Sequence, residues 1–433
     1  MIAATESFTS HVDCVLFGGH VMDPASGLDE LADIAIDHGR IVAVEKASTG
    51  GLREHSAKRV IDTAGKIVCP GLIDMHTHVY EWVTNFGVSA DDAGVGAGAT
   101  TVVDQGSAGA WTFAGFEHCI ATAATDVRAF IAPTVAGALL GGARGDILQG
   151  QPLMLIDEMM RVIERRRHIV CGIKIHAEAG SFSHWGTEVL EAACAASAAA
   201  GIPIYTHTGE LYPVNEDSRP EPRSVVEAIL PFLKAGDILA HVCSGRPDGI
   251  VGDEVEVPDV LYRALEKGLH FDVGYGLNFR NRIARLLIGA KVYPYLISSD
   301  VHGPLNSSLH KFHDYSMLNY SLPGAMNRMW ALGMPLTEVL RAVTVNPAAV
   351  IGEQDKIGTL AVGTVADITI LDVRREAWKF ADAVSDVFDV EERLVPYLTL
   401  RAGVGHTPRA HMLRDVLDPE CFNSRNDRFF NAE

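Results

Sequence analysis

The chain has no apolar run that approaches the roughly 18 residues a membrane-spanning helix needs. Its start, MIAATESFTSHVD, lacks the basic stretch and apolar core of a secretory leader. Basic residues are few, 36 Lys and Arg against 55 Asp and Glu, for a formal net charge of −19. That balance argues against nucleic acid and against anionic membrane as partners. The seven cysteines, at 14, 69, 119, 171, 194, 243 and 421, never form a C-x-x-C pair, and their number is odd. Such scattered thiols fit a reducing compartment, so a cytoplasmic protein is expected. No G-x-G-x-x-G follows a strand-like run, which leaves a dinucleotide-binding sheet without its fingerprint. No G-x-S-x-G elbow occurs either, which weighs against a Ser-His-Asp hydrolase.

What is present is a well-buried globular composition, 48% apolar and 21% charged, in a chain of 433 residues. That length is long for one core and predicts a large domain with a smaller one. Residues 12–68 carry short alternating strands joined by Gly- and Asp-containing turns. From about 70 to 350 the pattern becomes strand, loop and helix in alternation. Strands are predicted at 67–74, 100–105, 128–134, 170–176, 203–208, 238–242, 270–274 and 295–300. Helices are predicted at 153–167, 187–200, 224–234, 258–268 and 279–290. Eight such repeats match a (β/α)8 TIM barrel. Strand-turn-strand chemistry returns at 358–372 and 394–405. The expected architecture is a barrel at 69–352 beside a small β-sandwich built from 1–68 and 353–405, with a polar tail at 406–433. A homo-oligomer is expected from so large a barrel.

The stretch IVCPGLIDMHTH (67–78) delivers His76 and His78 at i and i+2, on one face of a strand. Two neutral imidazoles from one strand end suit a divalent metal, usually zinc. Four more candidates fall at or near predicted strand ends: Lys174 on the fourth strand, His207 on the fifth, His241 on the sixth and Asp300 on the eighth. In a barrel the C-terminal strand ends open on one face, where active sites are built. Lys174 sits inside the apolar run GIKIH. Burial lowers an amine's pKa and leaves it nucleophilic enough to take up carbon dioxide. The product, N6-carboxylysine, bridges two cations: one held by His76, His78 and Asp300, the other by His207 and His241. Zinc, manganese and cobalt all accept such ligands.

Those residues bring in a family. The chain resembles the amidohydrolase superfamily in its H-x-H, Lys, His, His, Asp series. PGLIDMHTHVY, GATTVVDQGSAGAWTFAGF, FDVGYG, ISSDVHG and LGMPLTEVLRAVTVNPAAVIG make it similar to the D-aminoacylase/dihydroorotase-like amidohydrolase/deacetylase group, over roughly residues 12–405. The resemblance implies metal-dependent hydrolysis of a small acylated amino or hydroxy acid, with Asp300 as the acid-base residue. A cyclic amidase of the dihydroorotase or hydantoinase type is the rival reading, and a barrel kept only for binding is a second. Two positions depart from the group: Lys174-Ile175-His176 stands where K-x-R is common, and Tyr275 where the strand-seven motif reads D-V-G-H-G. For substrate contacts the sequence offers the backbone amides of Ser107, Ala108 and Gly109 as a carboxylate cradle. It adds His176 beside Lys174, Tyr275 and Arg280 after strand seven, and His302 just past Asp300.

Overall fold

The computed structural model describes residues 11–46, 52, 57–84, 86–139, 153–221, 224–276, 279–303, 321–382 and 386–409. Residues 410–433, most of the expected tail, lie outside that set. Strands β1 (Val12–Asp23), β2 (Leu28–Asp37), β3 (Arg40–Lys46), β4 (Ala57–Asp62) and β5 (Ile67–Pro70) open the chain. Next come β6 (Leu72–Thr77), β7 (Ala99–Gln105), β8 (Asp126–Ile131), β9 (Val170–His176), β10 (Ile204–His207), β11 (Ile238–Leu239) and β12 (His270–Phe271). The last are β13 (Ile368–Ala381), β14 (Val387–Arg401) and β15 (Val404–His406).

β6 to β12 form a parallel sheet in strict chain order, β12-β11-β10-β9-β8-β7-β6. Residues 295–301 stand between its two edges. Asp272 bridges Leu296 in parallel on one side, and Thr77 bridges Val301 on the other. The arrangement is TIM-barrel-like, with the eighth segment held by isolated bridges. Backbone bonds carry the circuit further: Tyr275 N donates to Ser298 O at 2.9 Å and His78 N to Val301 O at 3.0 Å. β6 and β7 are buried at every position, as a parallel strand covered on both faces must be. Ile73, Met75, Val103, Phe130, Tyr205, Ile238, Ala240 and Leu296 form one apolar cluster, drawn from six of the eight segments. Only the barrel interior brings them together.

The sequence reads 67–74 as one strand, but the structure breaks it at Gly71. β5 pairs with β1 and β13, whereas β6 pairs with β7. Gly71 N donates to Asp367 O at 2.7 Å, and a Cβ there would lie 2.2 Å from Thr100 Oγ1. The close crossing requires glycine. Around β5 the first and last strands share one mixed sheet, β15-β14-β13-β5-β1-β2-β3, with β4 also on β1. The expected sandwich is therefore a single continuous sheet in its hydrogen bonding. Its core mixes Leu16, Ile34 and Ile36 with Ile368, Ile370 and Leu400 from the far end of the chain.

Helices flank the parallel strands, and the five predicted ones form near their expected places; others, such as Phe113–Ile120 and Leu322–Ala331, were not predicted. The Ala-rich stretch forms Glu188–Ala200, with Glu188 and Glu191 in its first turn and Gly201 closing it at a left-handed φ of 66°. The helix read at 224–234 is shorter, Ser224–Ile229. No described helix is long and apolar enough to cross a membrane.

Candidate metal centre

Six side chains converge at the C-terminal end of the parallel strands, brought there by strand order alone. His76 Nε2 lies 3.2 Å from Asp300 Oδ1 and His78 Nε2 3.4 Å from the same oxygen. His76, His241 and Asp300 place one ligand atom each within 4.8 Å of one another. The His207 ring is 4.2 Å from the His241 ring, centroid to centroid, and His76 is 5.3 Å from both His78 and His241. His241 thus stands between the two expected groups, within reach of His76 and Asp300 on one side and beside His207 on the other.

The imidazoles share one design. His76 holds Tyr205 Oη through Nδ1 at 2.9 Å, His78 holds Ser107 Oγ at 3.0 Å, and His241 Nδ1 donates to Gly274 O at 2.8 Å. Each grip on Nδ1 turns Nε2 toward the interior. His207 Nε2, His241 Nε2 and Lys174 Nζ are buried there without a hydrogen-bond partner. A buried polar atom left unpaired costs about 1–3 kcal/mol. Three in one place therefore mark a built binding site rather than a packing accident. A ring of imidazole nitrogens with one carboxylate is the donor set of a zinc-like cation, so these residues fit the metals expected from the sequence.

Electrostatics agree. Burial, then the Lys174 charge, holds His76 well below its usual pKa. Burial does the same for His207, reinforced by His241, and takes His241 down to about 4. All three imidazoles are neutral at pH 7, the form in which an imidazole can accept a cation. Lys174, 2% exposed, is lowered by burial to about 7, with its Nζ 4.5 Å above the Tyr205 ring. Burial would raise Asp300, but the His78 hydrogen bond and the surrounding imidazoles bring it below the ordinary carboxylate value. Asp300 and His241 both adopt left-handed backbone, φ 54° and 62°. Asp and His tolerate that region better than most residues, and such strain gathers at functional sites.

The expected substrate contacts divide. His176 stacks on His207 at 5.0 Å and lies 4.6 Å from the Tyr212 ring, its Nδ1 buried without a hydrogen-bond partner. The His302 ring is 6.3 Å from that of His78, and its Nδ1 bonds Gly303 O. Arg280 lies over Gly245, where a Cβ would sit 2.2 Å from its Nε, and it makes no ion pair among the described residues. Tyr275 is buried, with its ring against Arg328. The 107–109 loop differs most from expectation. Ser107 N donates to Asp104 Oδ1 at 2.8 Å and Gly109 N to Thr112 Oγ1 at 2.9 Å, so two of the three amides are spent inside the turn. Ala108 is buried, its carbonyl accepting from Ala132 N. Ser107 reaches the site through its hydroxyl, on His78.

Sequence reasoning missed Tyr205, Asp272 and Ser298, joined by hydrogen bonds beneath the histidines. It also missed Glu178, whose carboxylate accepts from the amides of Gly180, Ser181 and Leu211 and ties the loop after β10 to that after β9. The placement of Tyr205 two residues before His207, on the same strand face, is the one signal that pointed inward.

Residues 67–404 match the amidohydrolase family. A deacetylase from Agrobacterium fabrum is 26% identical over 360 residues, spanning 83% of this chain and 82% of that protein. A dihydroorotase from Geobacter sulfurreducens is 43% identical over 68 residues, 16% of this chain and 15% of its own length. Among solved structures, an adenine deaminase superposes with TM-score 0.76 at 24% identity, covering 92% of this chain and 100% of that one. A dihydroorotase does so with TM-score 0.76 at 23%, covering 93% and 99%.

Proposed function

The chain belongs to the amidohydrolase family and is a hydrolase of carbon–nitrogen bonds, and on that premise we propose a deacylase with a binuclear metal centre. Its substrate is a small carboxylate-bearing compound, an N-acyl amino acid or O-acyl hydroxy acid. The observation that carries this is the set of unpaired buried nitrogens on Lys174, His207 and His241 facing His76, His78 and Asp300. The deacetylase relatives, aligned over most of both chains, support the acyclic reading.

His76, His78, Lys174, His207, His241 and Asp300 would hold two divalent cations, zinc by donor type. Bound there, they would acidify a water toward neutral pH and polarise the scissile carbonyl. The protein's own work is to position and to move protons. Lys174, an amine lowered to about 7, forms its N–C bond to carbon dioxide and loses a proton, becoming an N6-carboxylate. Asp300, held ionised, takes the proton from the attacking water and passes it to the leaving nitrogen or oxygen. Arg280 pairs with the substrate carboxylate, while His176, Tyr275 and His302 line its path. Of the 107–109 loop, Ser107 acts through His78, and Ala108 and Gly109 shape the wall.

A second reading, a cyclic amidase, draws on the short dihydroorotase match. One screen separates them: paired enantiomers of N-acyl amino acids and O-acyl hydroxy acids beside simple cyclic amides, each with and without chelator. Chelator-sensitive turnover of one acyclic enantiomer is expected. Turnover confined to ring amides would replace this reading with its rival.

A further inference from the structure

Tyr205 plays no part in the chemistry above, yet it is wholly buried at the centre of the barrel and three features meet on it. Its Oη donates to Asp272 Oδ2 and stands 2.9 Å from His76 Nδ1. Its ring faces Lys174 Nζ at 4.5 Å. Asp272 is itself pinned, by Ser298 Oγ at 2.7 Å on the same oxygen and by Gly274 N at 3.2 Å on the other.

A phenol has one hydrogen to give. With that hydrogen on Asp272, the Tyr205 oxygen only accepts from His76, so the His76 proton belongs on Nδ1. Nε2 is then left bare 3.2 Å from Asp300 Oδ1, acceptor against acceptor, a contact that a cation between them would satisfy and that Tyr205 must outweigh when none is bound. Phenylalanine would fill the same space without a hydroxyl to bury, and a buried hydroxyl is costly unless it is bonded. Tyr205 follows the β10 face that also carries His207, so the strand that supplies one ligand also orients another.

We propose that Tyr205 is a positioning residue: it relays the Asp272 carboxylate to His76, locks His76 as its Nδ1–H tautomer, and gives the Lys174 side chain an aromatic floor. The inference rests on the metal-dependent reading for its purpose, and its geometry stands without it. A partner of this kind behind a metal-binding imidazole is worth about 10–100-fold in metal affinity.

The test is made on metal-stripped protein labelled with 15N-histidine, with His76 assigned by the signal lost in His76→Gln. Long-range 15N–1H correlation should show Nδ1 protonated and Nε2 bare in the wild type. Tyr205→Phe keeps the ring under Lys174 and removes the hydroxyl; His76 should then sample both tautomers, and cobalt affinity measured by chelator competition should fall about 10–100-fold. Ser298→Ala should leave the tautomer as it was. An Nε2–H tautomer in the wild type overturns the proposal, as does a Tyr205→Phe protein with unchanged tautomer and affinity. Should Tyr205→Phe fail to fold, the wild-type spectrum alone decides. A wild type that binds no cobalt sinks the metal reading instead, and the tautomer is read without any metal.

Discussion

Asp300 meets His76 twice: its backbone amide donates to the His76 carbonyl at 2.8 Å, and its Oδ1 stands 3.2 Å from His76 Nε2. The same residue therefore helps close the barrel, between the eighth segment and β6, and sets the carboxylate among the imidazoles. Closure and site geometry are one feature of this fold.

Asp300→Asn separates the two roles. Asparagine keeps the backbone donor and tolerates the left-handed φ of 54°. The variant should fold with nearly wild-type thermal stability while kcat falls about 10²–10⁴-fold, the usual worth of a positioned acid-base group. Steady-state kinetics beside a melting curve check this; a kcat within a few-fold of wild type would remove Asp300 from the proton transfer.

Lys174→Met tests the buried amine. Methionine has similar length and no charge to desolvate, so with both proteins stripped of metal its melting temperature should match or exceed that of wild type. Metal content, measured by elemental analysis, should fall together with activity. A variant that keeps both its metal and its turnover would show that Lys174 is not a ligand.

The candidate ligands were legible because they stand at or near strand ends, and strand ends follow apolar runs that the sequence displays. His76, His207, His241 and Asp300 could be placed that way without any contact being known. Hydrogen bonds such as Tyr205 to Asp272 join positions 67 apart in sequence and leave no local trace. The break at Gly71 was hidden for a related reason: the apolar pattern runs unbroken across it, and only Thr100 and Asp367, folded close by, show why the chain must turn. The 107–109 turn was misjudged because glycine-rich loops look alike whether their amides face a ligand or, as here, Asp104 and Thr112.

Gly276→Ala should damage catalysis beyond its cost in stability. A Cβ there would lie 2.2 Å from Asp300 Oδ2, at a φ of 22°. Gly236→Ala is the control, since it carries a positive φ of 87° with nothing within 4 Å of its Cβ. Both should lose about 1–3 kcal/mol of stability by chemical denaturation, but only Gly276→Ala should lose most of its kcat. Equal kcat in the two variants would contradict the placement of Asp300.

Glu178 gives a pH signature outside the ligand set. Burial raises its pKa from 4.5 to about 7, against the backbone amides that favour its charge. The folded state therefore binds the proton more tightly than the unfolded chain. The stabilisation is full below pH 4.5 and is lost as pH climbs through 7, on the order of 3 kcal/mol across the window. Glu178→Gln should flatten the stability-pH curve between 4.5 and 7. A slope in the variant identical to wild type would assign that dependence elsewhere.

Arg280→Met should raise KM for a carboxylate-bearing substrate about 10–100-fold, with kcat little changed, while leaving the corresponding neutral amide unaffected. Equal losses on charged and neutral substrates would mean that Arg280 supports the loop rather than the ligand.

The most direct test of the whole account is metal stoichiometry against turnover. Purified protein grown with bicarbonate and zinc should carry two metal ions per chain. It should hydrolyse one enantiomer of an N-acyl amino acid or O-acyl hydroxy acid, lose that activity when stripped by chelator, and regain it when the metal is restored. Undiminished hydrolysis by stripped, metal-free protein would contradict the metal centre, and with it the role assigned to every residue that faces it.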